Sequence, residues 1–452
     1  MSNEKQKFPI NPMRRAIMGA GLGVAGGLIL PVGLPMRAFA AEKQPPIGTW
    51  PAGVQGKEVF IGVAVPRTGT YAEQGEDELK GWQLAVEHIN SGHDLIRKIS
   101  PKTKKGVQGK ELKLVIADSA AKPNDAVQAQ QRFITESKIM LMTGSTSSAV
   151  AVALNKLAQR EHVLYTAGIS GSNDTTGKDC VRYGFRQNFY GETAANAIGP
   201  VLLKAYGKGK KMAFMTPDYT YGHTVTKSTS EYLKEHGGWQ MVTNQVSPLG
   251  ATDFSSYLTN IANSGAEVLL NVNWGRDAVL STQQAKQFGV IPKMKLAIPY
   301  QIPFLAKNIG AELAEGVYAA TDFWWTLEDK YPLAKMFVTE FRKKYGYYPE
   351  WGAENAYMSF AMWADAVENA GTFYPPDVIK SYEAGRKLQS MVGEVYIRKE
   401  DHQLVRPVVI VRGKAPKQMR NKEDFWEVTE VVPGAPLMQK PDEFGCKLGD
   451  YT

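Results

Sequence analysis

Apolar and polar positions along the chain switch between two periods, and the switching predicts strands and helices in turn. Residues 59–65 form a continuous apolar run with Gly62 inside it, the pattern of a strand covered on both faces. Pro66-Arg67-Thr68-Gly69-Thr70-Tyr71 breaks the run with turn residues. Leu79, Trp82, Leu84, Ala85, Val86 and Ile89 then line one helix face at intervals of three and four. The rhythm repeats: strands over 111–117, 139–142 and 163–166, helices over 126–136 and 149–160. It starts again with a helix over 192–206 and strands over 211–215, 240–245 and 267–272, with a helix over 225–235 and an N-cap cluster, Thr252-Asp253-Phe254-Ser255, between them. A strand over 316–321, a long amphipathic helix over 353–370 and a hairpin-like stretch, 393–397 with 404–411, follow. Alternating strands and helices imply right-handed crossovers and doubly wound parallel sheets, one in each of two domains.

In open α/β sheets ligands sit outside the carboxyl ends of the strands, so the strand-end turns are the candidate site. Ser145 to Ser148 and Ala167 to Ser172 offer hydroxyls and backbone N–H groups beside helix N-termini, which suits a carboxylate and equally suits plain helix capping. The second domain places Tyr219, Tyr221, Trp274 and Asp277 at the corresponding ends. Aromatics there can close over an apolar ligand and a carboxylate can neutralise an ammonium group. Half-buried core rings and a helix-capping Asp277 are the structural alternatives.

Length and charge sharpen this picture. A chain of 452 residues exceeds what one core supports. Lys5, Lys7, Arg14 and Arg15 precede an apolar, Gly-rich stretch ending in Ala38-Phe39-Ala40, the layout of a cleavable signal peptide over residues 1–40. Removing it takes away five basic residues and one acidic residue and lowers the formal net charge from +8 to +4, too little for a nucleic-acid reading. The Arg14-Arg15 pair resembles a twin-arginine signal, so general secretion and the twin-arginine route both stay open. A membrane anchor is the alternative for this stretch, though Pro31 and Pro35 break it. In an exported protein Cys180 and Cys446 are free to pair, which would contribute about 3–5 kcal/mol by chain entropy, or to stay as two thiols.

Catalytic signatures do not survive inspection. Six scattered histidines lack metal-site spacing, Gly168-Ile169-Ser170-Gly171-Ser172 lacks the final glycine of a nucleophile elbow, and no phosphate-cradling Gly-Lys-Ser/Thr loop occurs. Gly21 to Gly26 matches a dinucleotide fingerprint but follows no strand. The expectation is a binding protein with no catalytic residues, no metal and no cofactor.

The stretches IGVAVPRTGTYAEQGEDELKGWQLAVEHIN, PDYTYG, TDFSS, NVNWGRDAV followed by QQAKQFG, and PEWGAENAY together resemble the leucine-binding-protein family. These are the periplasmic solute-binding proteins of ABC importers for branched-chain amino acids and related compounds. The resemblance spans residues 59–411 and implies the type I periplasmic-binding fold: α/β, with two doubly wound parallel-sheet lobes joined by a three-segment hinge. It puts lobe one at 57–180 and 302–398, lobe two at 181–301 and 399–430, and a tail at 431–452. It assigns the ligand carboxylate to Ser147 or Ser148 with Gly168 and Ser170, and the ammonium to Asp277. Aromatic contacts fall to Tyr71 and Tyr221, with Tyr219 and Trp274 as neighbours. A monomer is implied, with a small-molecule ligand and an inner-membrane ABC permease and ATPase complex as partners; a periplasmic receptor for a signalling partner is the alternative. Asp277 is shorter than the family's acid, Arg276 and Trp274 flank it, and Asp118-Ser119-Ala120-Ala121 lacks the family's N-terminal-lobe cysteine. These departures leave amino acids, amides and aromatic acids open as ligands.

Overall fold

The structure, a computed structural model, describes residues 56–452; the signal-peptide expectation for residues 1–40 lies outside them. Among the described residues no helix is long and apolar enough to cross a membrane. The first sheet consists of β1 (Glu58–Val65), β2 (Glu111–Asp118), β3 (Leu141–Gly144), β4 (Leu164–Ala167) and β5 (Gly184–Arg186), all parallel, in the order β2-β1-β3-β4-β5. β1 is an interior strand between β2 and β3, and its unbroken apolar run is buried: Ile61, Val63, Ala64 and Val65 are all fully buried. The strand order reverses between β1 and β3, so the turns after these two strands flank the crevice where a ligand fits.

The second sheet has the order β15-β14-β10-β9-β8-β6-β7. Its parallel strands are β6 (Lys211–Pro217), β7 (Gln240–Ser247), β8 (Val268–Asn271), β9 (Lys295–Ile298) and β10 (Tyr318–Thr321). A small antiparallel set, β11 (Leu388–Ser390), β12 (Gly393–Ile397) and β13 (Leu404–Val405), sits apart. Then β14 (Val408–Gly413) joins antiparallel to β10, and β15 (Trp426–Val432) closes the edge. In the second sheet the order reverses between β6 and β8, which aims the turns after those strands at the turns of the first sheet.

Strand pairing moves the lobe boundaries expected above. The strand over 318–321 pairs with β9 and β14, so it belongs to the second lobe rather than to 302–398 of the first. β5 belongs to the first sheet, so the first crossover follows Arg186 rather than residue 180. The hairpin-like run divides at Arg406-Pro407: β13 pairs with β12, and β14 crosses to the other sheet. Chain order alone does not say which sheet a strand joins; only pairing does.

The three crossovers meet at a buried polar cluster. Asp322, just past β10, accepts the Phe189 N–H of the first crossover at 3.2 Å. Arg406 of the third lies with Nε 3.1 Å from Asp322 Oδ1, an ion pair without hydrogen-bond alignment. Its Nη2 donates to Glu354 Oε2 at 2.9 Å and its Nη1 to Asn355 Oδ1 at 2.6 Å. Burial pushes the Asp322 carboxyl up to about 7, with Arg406 opposing. Glu354 and Asn355 belong to helix Trp351–Ala370, buried at every position from Trp351 to Val367 and packed on helix Ala72–Ser91. Cys180 and Cys446 are bonded, with Cα atoms 5.5 Å apart.

Candidate functional site

The turn after β1 is held by Asp118 at the end of β2, which accepts the Arg67 N–H at 2.9 Å and the Thr68 hydroxyl at 2.6 Å. It carries Thr70 and Tyr71 to the opposite lobe. Thr70 Oγ1 donates to Asp277 Oδ1 at 2.6 Å, the Arg276 N–H donates to Thr70 O at 2.9 Å, and the Tyr71 hydroxyl donates to that of Tyr219 at 2.9 Å. Gly275 makes the approach possible: its φ is +57°, and a Cβ there would stand 2.5 Å from both Thr70 O and Tyr71 Cδ1.

The turns after β3 and β4 lie side by side. Ser145 holds a left-handed φ of +77°, the kind of backbone strain that persists only where surrounding bonds enforce it. Its hydroxyl is 2.5 Å from that of Tyr165 and accepts the Gly168 N–H at 3.1 Å. Ser148 begins helix Ser148–Glu161, and its hydroxyl accepts the Ser172 N–H at 3.1 Å, tying the two turns together. Ser147 occupies the N-cap position but makes no side-chain capping bond. The hydroxyl oxygens of Ser147 and Ser170 are buried without a hydrogen-bond partner. Gly168 differs from the expectation: its N–H is already taken by Gly144 O at 2.7 Å, and it serves by having no Cβ, which would collide with Glu78.

Behind both turns stands Glu78. Its carboxyl accepts from the Thr146 hydroxyl and, at 2.9 Å, from the Ile169 N–H, so one side chain braces both loops. Burial pushes this carboxyl up to about 8 against those two bonds, so it is mostly protonated at neutral pH. A neutral group there does not repel an anion bound in front of it.

Six rings stand around the interlobe contact. Trp274 meets Tyr71 edge-on at 5.3 Å, Tyr221 at 6.5 Å and Trp351 at 6.1 Å. Tyr221 also meets Tyr219 at 5.7 Å and Tyr300 at 6.0 Å, and Tyr300 meets Trp351 at 5.5 Å. The Tyr300 hydroxyl enters the crossover cluster, donating to Phe189 O at 2.8 Å and accepting from Asn188 Nδ2 at 2.8 Å. Asp277 sits in the first turn of helix Gly275–Gln287, buried, with Oδ2 accepting the Gly250 N–H at 2.7 Å. Burial raises its carboxyl pKa, opposed by the Thr70 and Gly250 bonds and by Arg276, whose side chain is exposed.

Tyr71, Ser147, Ser148, Ser170, Tyr219, Tyr221, Trp274 and Asp277 thus fall on facing turns, as strand-end positions. Sequence reasoning put the turn of Thr70 at the crevice without singling out that residue, and it missed Glu78, Tyr300 and Trp351. Trp351 lies within the PEWGAENAY stretch, and Glu78 occupies the buried face of its own helix, where a carboxylate is out of place. Among the described residues His88, His93 and Glu340 form one grouping of metal-ligating side chains. The two imidazoles stack at 3.9 Å with planes 11° apart, so their in-plane lone pairs do not converge on one ion.

Residues 58–418 match the family model described as periplasmic binding protein. The Leu/Ile/Val-binding protein homolog 7 of Brucella abortus is 28% identical over 305 residues, covering 65% of this chain and 73% of the relative. An amino acid ABC transporter substrate-binding protein from Pseudomonas fluorescens superposes with a TM-score of 0.76 at 25% identity, covering 88% of this chain and all of that one. An ABC transporter solute-binding protein from Rhodopseudomonas palustris, solved with 3,4-dihydroxybenzoic acid, superposes with a TM-score of 0.71 at 20% identity, covering 85% of this chain and all of that one. With four-fifths of its length matched and the two-lobed α/β architecture in place, the chain belongs to the periplasmic binding protein family.

Proposed function

We propose that the protein captures a small organic solute bearing a carboxylate between its lobes and delivers it to an ABC permease. The observation that carries this reading is the pair of buried, unpartnered hydroxyls, Ser147 and Ser170, on adjacent strand-end turns braced by a neutral Glu78. Buried polar groups find partners, and a carboxylate accepts two hydroxyl donors well. Binding and lobe closure are the whole mechanism; no bond is made or broken. Asp277 retains lone pairs for an ammonium group beside its bonds to Thr70 and Gly250, which supports an α-amino acid.

A second reading, an aromatic carboxylate, is favoured by the six rings around the contact, since aromatic faces and edges pack well on another ring. A thermal-shift screen of amino acids, amides and aromatic acids tests both. A solute at one hundred times its Kd stabilises the fold by about 2.7 kcal/mol, so a binder stands out. Stabilisation by amino acids supports the first reading and by aromatic acids alone the second; a flat profile across the panel contradicts both.

A further inference from the structure

Beyond the three crossovers, the lobes are joined a fourth time by the C-terminal segment. It leaves the second sheet at the end of β15, and its Leu437 O accepts from Asn196 Nδ2 at 2.8 Å while its Gln439 Nε2 donates to Glu192 Oε1 at 2.8 Å. Both partners lie on helix Gly191–Tyr206 of the second lobe. The segment then crosses to the first lobe: Gln439 O accepts from Arg398 at 2.8 Å, and Cys446 is bonded to Cys180. Its last residues are fastened there, with Arg182 donating to Gly449 O at 2.7 Å and the Tyr183 hydroxyl to Tyr451 O at 2.9 Å.

The segment is continuous with β15 on the second lobe, and on the first lobe a disulfide adds a covalent bond to its hydrogen bonds. Cys180 is buried and Cys446 half-buried, so an incoming thiolate has one sulfur to approach. We propose that the Cys180–Cys446 bond is a site of thiol–disulfide exchange whose state sets how far the lobes separate. A dithiol attacks the bond through a mixed disulfide and resolves it with its second thiol. The dithiol is oxidised to its own disulfide, and the two cysteines take up its two electrons and two protons. With the bond intact the strap limits opening; with the bond reduced only hydrogen bonds hold its end, and the lobes open further. The inference depends on the two-lobed architecture and not on which solute binds.

Small-angle X-ray scattering on the unliganded protein tests it, comparing the oxidised form, the form treated with dithiothreitol in native buffer, and a slack variant. The slack variant keeps both cysteines and carries six Gly/Ser residues inserted after Lys440, an exposed position on the strap. The expected result is a larger radius of gyration for the reduced and slack forms than for the oxidised one, with unchanged circular dichroism. Should reduction unfold the chain, the slack variant decides the question alone. Equal radii for oxidised and slack forms overturn the strap. Failure of iodoacetamide to add two labels after dithiothreitol treatment overturns the exchange site.

Discussion

Replacing Glu78 by Gln removes the one buried carboxyl that braces both serine turns while keeping its shape. Gln still accepts the Ile169 N–H through its oxygen, and its NH2 donates to Thr146 Oγ1 once that hydroxyl turns. In the folded protein Glu78 titrates at about 8 against an ordinary 4.5, raised chiefly by burial. The folded state therefore holds a proton that the unfolded chain gives up above about pH 4.5. Stability from this group is complete below that pH and falls as pH rises toward 8. At about 1.4 kcal/mol per pH unit, the loss between pH 5 and pH 8 is on the order of 3 kcal/mol. For a protein of this size, whose unfolding entropy is about 0.8–0.9 kcal/mol/K, that is a fall in Tm of roughly 3–4 °C. Asp77, raised to about 7, and Glu350, raised to about 8, slope the same way, each chiefly through burial. The Glu78→Gln protein loses the Glu78 share, so its melting curve against pH is shallower and it is the more stable protein at pH 8. Melting followed by circular dichroism at pH 5, 6, 7 and 8 gives both slopes. Parallel curves for the two proteins refute the reasoning.

Arg406→Leu leaves Asp322 and Glu354 buried without their cation; breaking such a group costs about 3–5 kcal/mol, read as a lower urea midpoint at unchanged m-value. Gly275→Val places a Cβ against Thr70 O in a left-handed conformation, so the scattering radius of the unliganded protein grows while its circular dichroism stays. Thr70→Val removes a bond to a buried carboxylate worth about 1.5–3 kcal/mol, and a screened solute is predicted to dissociate about tenfold faster or more in stopped-flow fluorescence.

The alternating rhythm made the α/β class readable because β1, with both faces covered, writes an unbroken apolar run. Elements without such a signature escaped. β9 offers only Leu296-Ala297-Ile298 as an apolar run, close behind Pro292, Lys293 and Lys295, and β5 is three residues; neither stands out from its flanks. The assignment of the strand over 318–321 to the wrong lobe has the same root, since its partners β9 and β14 are recognised only through pairing. The site divided similarly. Serine turns and aromatic strand ends are local features, so the positions of Ser147, Ser170, Tyr221 and Trp274 at strand ends could be read from the residues, whereas Tyr71 entered through the family resemblance. Thr70 owes its place to a partner 207 residues away, and Tyr300 to a hydroxyl inside the crossover cluster. Such contacts are products of the fold and leave no periodic trace.

The most direct measurement of the central claim is a calorimetric titration of L-leucine and 3,4-dihydroxybenzoate into the protein and into its Ser147→Ala/Ser170→Ala variant. Both hydroxyls are buried without partners, so their removal leaves the unliganded fold intact. Loss of two bonds to a carboxylate, about 1.5–3 kcal/mol each, weakens binding by roughly a hundredfold or more. The account predicts saturable binding of at least one of the two solutes to the protein and its collapse in the variant. No heat from either solute, or equal affinity in both proteins, contradicts it.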